Sequence, residues 1–296
     1  MTPEPLQTRP LTPRFGVEIL GVDLREVAAG TGFEAVRAVF ETHSALLFRD
    51  QTFEPEHHLA LARLFGPIED RKADERKPGE AFEIPEVSNR AADGSVAGEM
   101  DLHTLNLKAN MLWHTDGTFL PAPALANIIT ARVVASSGGE TELAGTRAAW
   151  ADMPEDLKAR TRDALIWHRY SHSRARISAD LARLPMFHKW PDQLWRALWR
   201  NPVTGEDAVY VASHAFKVEG MAEAEGAALI DELIEFCTRP EYVYSHHWKV
   251  GDVLVWDERA TLHRGRPWPY EEERTLSSIC VTATAADGLD AMRPQM

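Results

Sequence analysis

Trp113-His114-Thr115-Asp116-Gly117-Thr118-Phe119 decides the reading of this chain once it is set beside Gly251-Asp252-Val253-Leu254-Val255-Trp256-Asp257 and Leu262-His263-Arg264. Alone, a His-x-Asp pair is weak evidence, because twelve histidines and many aspartates make chance matches common. The later stretch adds a strand pattern, a tryptophan and a second imidazole. His263 lies 147 residues beyond Asp116, a separation that suits return across a barrel. Two imidazoles and one carboxylate fit a mononuclear iron(II) site that activates oxygen, since three protein ligands on one face of an octahedral ion leave three positions open. If His114 and Asp116 lie on a strand, its period of two points both side chains at the same metal.

Outward from these motifs, short strand patterns dominate. Phe15–Leu20 alternates, Ala45–Phe48 is a buried apolar run, and Leu125–Val134, Glu140–Ala144, Ala164–Tyr170 and Val209–Ala212 read as strands. Tyr242–Trp248, Val253–Trp256 and Thr275–Thr282 close the set with alternating or β-branched patterns. Helical spacing marks Phe33–Thr42, Glu54–Leu64 and Ala222–Cys237, with short helices near 148–150 and 154–157. Many short strands, with metal ligands at both ends of the set, predict a mainly β fold with flanking helices, a double-stranded β-helix or jelly roll. One domain over residues 1–296 is the economical reading. Within it, about 70–112 is charged and turn-rich, including Ala92-Asp93-Gly94-Ser95, and reads as a lid-like segment ending at the metal motif. An Arg- and Trp-rich stretch at about 171–200 reads as an insertion covering one end of the sheet.

Composition narrows the partners. The 296 residues are 44% hydrophobic and 26% charged, typical of a globular protein with an ordinary core. Lysine and arginine total 32 against 45 acidic residues, a net charge of −13 that opposes nucleic acid and anionic membranes. No apolar run approaches the ~18–20 residues of a membrane span. The stretch Met1 to Pro10 lacks the apolar core of a secretory signal, so the expected location is cytoplasmic. Cys237 and Cys280 lack a zinc or redox spacing and read as buried thiols.

Two further positions bear on a cosubstrate. Arg274 lies eleven residues after His263, across a turn-like stretch, where a guanidinium can pair with a carboxylate in two-pronged fashion. It can equally be a solvated arginine beside Glu271–Glu273. Thr141, after Ser137-Gly138-Gly139-Glu140, offers a hydroxyl to the same carboxylate, or is a routine strand threonine.

Taken together, Gly21-Val-Asp-Leu-Arg25, Phe65-Gly-Pro67, Trp113-His-Thr-Asp116, Gly138-Gly-Glu-Thr141 and Asp252 through Arg274 make the chain resemble the iron(II)/2-oxoglutarate dioxygenases that include taurine and 2,4-dichlorophenoxyacetate dioxygenases. His214-Ala215 and Val218-Glu-Gly220 resemble the phenoxyacetate branch. The resemblance spans nearly the whole chain. It implies iron(II) held by His114, Asp116 and His263, O2 as co-reactant, and 2-oxoglutarate held at its distal carboxylate by Thr141 and Arg274. Succinate, carbon dioxide and a hydroxylated small, acidic substrate would result. Asp116 favours hydroxylation over halogenation, since related halogenases replace that carboxylate. Hydroxylation beside the ether oxygen of an aryloxyalkanoate would cleave the ether. A hydroxylase of another carboxylate or sulfonate is the alternative, and a metal-binding jelly roll without redox turnover is the rival from another class.

The pattern departs from the family in two places. The second arginine that such relatives carry four residues after the first is Ser278 here, so either another cation such as Arg264, Arg266 or Lys108 substitutes, or the substrate's acidic group is placed differently or absent. The histidine that taurine enzymes place after Phe-Gly-Pro is absent from Ile68-Glu-Asp-Arg-Lys72, which speaks against taurine. Asn110 matches a substrate-side asparagine of the taurine branch or is a lid turn residue. His214 either faces the pocket or is a hydrogen-bonded structural histidine. The family further implies a homo-oligomer.

Overall fold

Alternation along the central strands sorts their side chains onto two faces, and both faces are buried. In the computed structural model, which describes residues 6–91 and 93–294, Val253 and Val255 join one apolar cluster while Leu254 and Trp256 join another. Ala92 and Met1–Pro5 lie outside the described residues, so the expectations that included them are followed only in part.

The strand holding these residues, Val253–Asp257, sits at the centre of a seven-stranded major sheet. Its order is Thr8–Pro10, Val17–Ile19, Ala45–Phe48, Val253–Asp257, Ala124–Val133, Thr275–Thr282 and Glu86–Ser88. Neighbours pair antiparallel except Val17–Ile19 with Ala45–Phe48. A minor sheet orders Val243–His246, Thr141–Gly145 and Thr261–Gly265, all antiparallel. Between the two sheets, Ala45, Leu47, Ile129, Leu254, Trp256 and Leu276 meet Leu143 of the minor sheet in one core. Helices Phe33–His43 and Pro55–Phe65 cover the outer face of the major sheet through Val36, Phe40, Leu61 and Phe65. Helix Glu223–Cys237 covers Ala144 and Leu262 on the outer face of the minor one. The protein is thus mainly sheet with flanking helices, and no helix among the described residues is long and apolar enough to cross a membrane.

Most elements fall within a residue or two of their expected places, and Thr275–Thr282 coincides. Three expectations need correction. His114 forms only a one-residue bridge with His263, and Asp116 already lies in a turn rather than on a strand. Gly117 explains this: its φ of +69° breaks extended backbone, and a Cβ there would meet the Ala124 nitrogen at 2.8 Å. The strand expected at Val209–Ala212 is Asp207–Val209. The charged stretch after Asp70 is not wholly irregular, since Glu86–Ser88 joins the sheet edge and Leu102–Ala109 is a helix.

Candidate metal centre

The bridge between His114 and His263 places two imidazoles side by side at the edge of the minor sheet, with ring centroids 4.1 Å apart. The turn at Gly117 swings Asp116 back toward them. His114 Nε2 lies 3.9 Å from Asp116 Oδ1, and His263 Nε2 lies 3.6 Å from Oδ2. One donor atom from each side chain falls within 4.8 Å of the other two. The two nitrogen–oxygen gaps are too long for hydrogen bonds, yet shorter than about twice a metal–ligand bond of ~2.0–2.2 Å. The arrangement fits a divalent cation.

Electrostatics prepares the same three atoms. His114 Nδ1 donates to the Leu112 carbonyl at 2.7 Å, which leaves the Nε2 lone pair facing Asp116. Burial keeps both rings neutral, lowering His114 and pushing His263 down to about 3. Burial opposes the charge on Asp116, but the His263 and His114 rings once protonated in acid, with Arg71 and the Asn127 amide, outweigh it and hold the carboxyl well below its usual range. Two neutral imidazoles and one carboxylate need shed no proton to bind a metal at neutral pH.

A surrounding layer fixes these groups, and sequence reading missed most of it. Asn127 donates to Asp116 Oδ2 at 2.9 Å, and Ser278 in turn donates to Asn127 Oδ1 at 2.8 Å. Glu258 accepts from the Asp116 backbone N–H at 2.9 Å and from the Trp256 indole at 2.7 Å, with His263 Nδ1 3.6 Å away. Burial, then the Asp116 charge, pushes Glu258 far above the ordinary carboxyl range. Cys280 donates its Sγ–H to Asp116 Oδ2 at 3.5 Å, and burial, then the Asp116 charge, pushes the thiol well above its ordinary range. Glu69 and Arg71 form an ion pair at 2.5 Å beside Asp116, where a taurine-type histidine is lacking. Glu258 had a local signal, falling between Trp256 and His263. Asn127, Glu69 and Arg71 had none, since tertiary packing alone brings them in.

The triad opens into a cavity of about 970 Å³ whose wall includes Thr141, Arg274, His214, Asn110 and Ser278. Gly138 and Gly139 take φ near +70°, and a Cβ on Gly138 would stand 2.3 Å from the Pro267 carbonyl oxygen. That turn aims the Gly139 carbonyl at Arg274, whose Nε and Nη2 donate to it at 3.0 and 2.7 Å. Arg274 is buried, no carboxylate pairs with it among the described residues, and burial pushes it down to about 10. The solvated pairing with Glu271–Glu273 is absent among the described residues. Thr141 Oγ1 accepts from the Trp248 indole at 3.0 Å, which leaves its hydroxyl proton free to donate.

The other expected substrate contacts divide. Lys108 does not line the cavity, because it pairs with Glu99 at 2.9 Å. Arg264 lines it, but pairs with Glu142 at 2.6 Å and packs over Trp113. Arg266 lies 3.8 Å from the same carboxylate. The Ser278 hydroxyl is spent on Asn127. Asn110 caps its helix, and its carbonyl accepts from Gly265 N–H at 2.9 Å. His214 sits between Thr118 Oγ1 at 3.3 Å and an Arg174 nitrogen at 3.4 Å.

A family model described as taurine catabolism dioxygenase TauD, TfdA family matches residues 7–280. The chain is 33% identical over 270 residues to an alpha-ketoglutarate-dependent 2,4-dichlorophenoxyacetate dioxygenase of Cupriavidus pinatubonensis, covering 90% of this chain and 94% of that one. It is 32% identical over 275 residues to an (S)-phenoxypropionate/alpha-ketoglutarate-dioxygenase of Sphingobium herbicidovorans, covering 90% and 91%. The crystal structure of AAD-2 in complex with Mn(II) and N-oxalylglycine matches with a TM-score of 0.86 at 30% identity, covering 95% of this chain and 99% of that one.

Proposed function

The chain belongs to the taurine catabolism dioxygenase TauD, TfdA family, and from that premise we propose that it hydroxylates small acidic molecules, aryloxyalkanoates foremost, with ether cleavage as the result. The enzyme class itself is that of an iron(II)- and 2-oxoglutarate-dependent dioxygenase using O2 on a small-molecule substrate. Membership of that class sets aside the rival reading of a metal-binding protein without turnover. The observation that carries the proposal is one cavity walled by His114, Asp116, His263, Thr141 and Arg274. A hydrolytic site would have no use for the last two.

The geometry supports a role for each residue. His114, Asp116 and His263 would hold iron(II), their donors already deprotonated. Bound there with 2-oxoglutarate, the metal supplies oxygen activation, coupling decarboxylation to succinate with insertion of one oxygen atom into a substrate C–H bond. Arg274 and Thr141 orient 2-oxoglutarate at its distal carboxylate. Asn127 and Glu258 hold Asp116 from two sides, and such support is commonly needed for affinity. Phe119, Tyr170 and Trp190 give the cavity an aromatic wall for an aryl ring. Once a hydroxyl stands on the carbon beside the ether oxygen, the hemiacetal collapses and releases the phenol.

The two packed, largely antiparallel sheets support the finer reading of a double-stranded β-helix, in a single domain whose segment at about 70–112 acts as a lid. The resemblance extends the proposal to a cytoplasmic homo-oligomer, the assembly being checked by light scattering. The main test is succinate release with iron(II), ascorbate and 2-oxoglutarate across aryloxyacetates, aryloxypropionates, sulfonates and unrelated acids. Stimulation by an aryloxyalkanoate with equal release of phenol is expected. Succinate formation that no aryloxyalkanoate stimulates would overturn the substrate proposal and leave the enzyme class standing.

A further inference from the structure

Three arginines are buried among the described residues, namely Arg174, Arg259 and Arg274. Arg259 is neutralised by Asp257 at 2.8 Å and Glu41 at 2.6 Å. Arg174 and Arg274 have no carboxylate within 4.0 Å among the described residues, and both line the metal cavity. Burying a guanidinium without a counter-charge is costly, so an uncompensated one facing a cavity marks an anion-binding position. The proposed cosubstrate clamp accounts for Arg274. Arg174 is left over.

Four of the remaining five cations of the cavity wall are paired. Arg71 pairs with Glu69, Arg76 with Asp70, Lys189 with Asp74 and Glu75, and Arg264 with Glu142. Lys72 is exposed.

The neighbours of Arg174 position it without discharging it. Its Nε donates to Asn106 Oδ1 at 3.2 Å and its Nη1 to Ser173 Oγ at 2.9 Å, while the Tyr170 ring lies 4.6 Å from the guanidinium carbon. All of these partners are neutral. Nη2 makes no hydrogen bond among the described residues. His214 Nε2 stands 3.4 Å from Nη1, and the His214 ring is 6.1 Å from that of His114. The guanidinium is therefore one ring away from the metal triad. Burial, with Arg174 as the next cause, drives His214 well below its ordinary range, so that ring brings no second charge.

We propose that Arg174 receives the acidic group of the substrate, a role that the sequence suggested for Arg264, Arg266 or Lys108. This rests on the reading of the substrate as an aryloxyalkanoate. In such a molecule the carboxylate is attached to the carbon that is hydroxylated, or one close to it. A cation one layer from the metal therefore sets that carbon before the reactive centre. The aromatic rings around Arg174 match the rest of the molecule.

The test measures binding of phenoxyacetate and of neutral phenoxyacetamide to Mn(II)- and 2-oxoglutarate-loaded protein, with aerobic phenol release measured on the iron-loaded enzyme. Arg174→Gln should weaken phenoxyacetate binding at least tenfold, change phenoxyacetamide binding less than threefold, and leave the 2-oxoglutarate requirement unchanged. Arg174→Lys should restore part of the preference for the acid, and it provides a folded charged control. Equal weakening of both ligands, unchanged phenoxyacetate binding in Arg174→Gln, or a wild type that does not prefer the acid would each overturn the assignment. Arg174-dependent binding without phenol release would uphold the anion site and overturn the ether-cleavage reading.

Discussion

Replacing Arg274 by glutamine separates a cosubstrate clamp from a merely structural arginine. Arg274 spends Nε and Nη2 on the Gly139 carbonyl, leaving Nη1 free of any hydrogen bond among the described residues and its charge unpaired at the cavity wall. Even pushed down to about 10 by burial, the group stays cationic at neutral pH. A hydrogen bond to a charged partner is worth ~1.5–3 kcal/mol, or about 10- to 150-fold in an equilibrium constant. The concentration of 2-oxoglutarate for half-maximal succinate formation should rise by that factor in Arg274→Gln. The same change strips the Gly139 carbonyl of two donors, which should cost about 1–3 kcal/mol of stability. Initial rates across a 2-oxoglutarate series and a thermal melt must therefore be read together. Arg274→Lys keeps the charge and should recover part of the cosubstrate affinity. A lowered melting temperature with an unchanged 2-oxoglutarate requirement would refute the clamp.

Two further outcomes are expected. Burial pushes His58 down to about 4 and His168 down to about 3, against 6.5 in an unfolded chain, so the unfolded state binds more protons below that value. Stability is complete above pH 6.5 and should fall as pH drops toward 3, by about 2 kcal/mol for each histidine at pH 5; denaturant melts of metal-free protein at pH 7.5 and 5 that coincide would contradict this. Gly138→Ala forces a Cβ to within 2.3 Å of the Pro267 oxygen at a φ of +70°, so it should lower the melting temperature and raise the 2-oxoglutarate requirement through the displaced Arg274 contact. An alanine variant matching wild type in both readouts would show that this turn does not position Arg274.

The grouping of His114, Asp116 and His263 was legible because each sits in a distinctive local motif. His114 and Asp116 are two residues apart, and His263 follows a strand whose alternation is plain. Elements with strong periodicity, such as Phe33–His43 and Thr275–Thr282, were legible for the same reason. The expected strand at Asp116 failed because Gly117 takes a left-handed turn there, a conformation that alternation cannot announce. Lys108, Arg264 and Arg174 are all basic residues in the sequence. Only the folded chain shows that Glu99 and Glu142 consume the first two, while the third is buried without a counter-charge. Ser278 was noticed for the arginine it replaces, and its contact with Asn127 gives it a different use, steadying the group that holds Asp116.

The central claim is that His114, Asp116 and His263 hold the iron to which 2-oxoglutarate binds. Anaerobic addition of iron(II) and 2-oxoglutarate, followed by visible absorption, tests it most directly. A charge-transfer band should form in the wild type only when both are present, and it should vanish in His263→Ala and His114→Ala while circular dichroism shows each variant folded. A wild type without the band, or a folded His263→Ala that keeps it unchanged, would contradict the account.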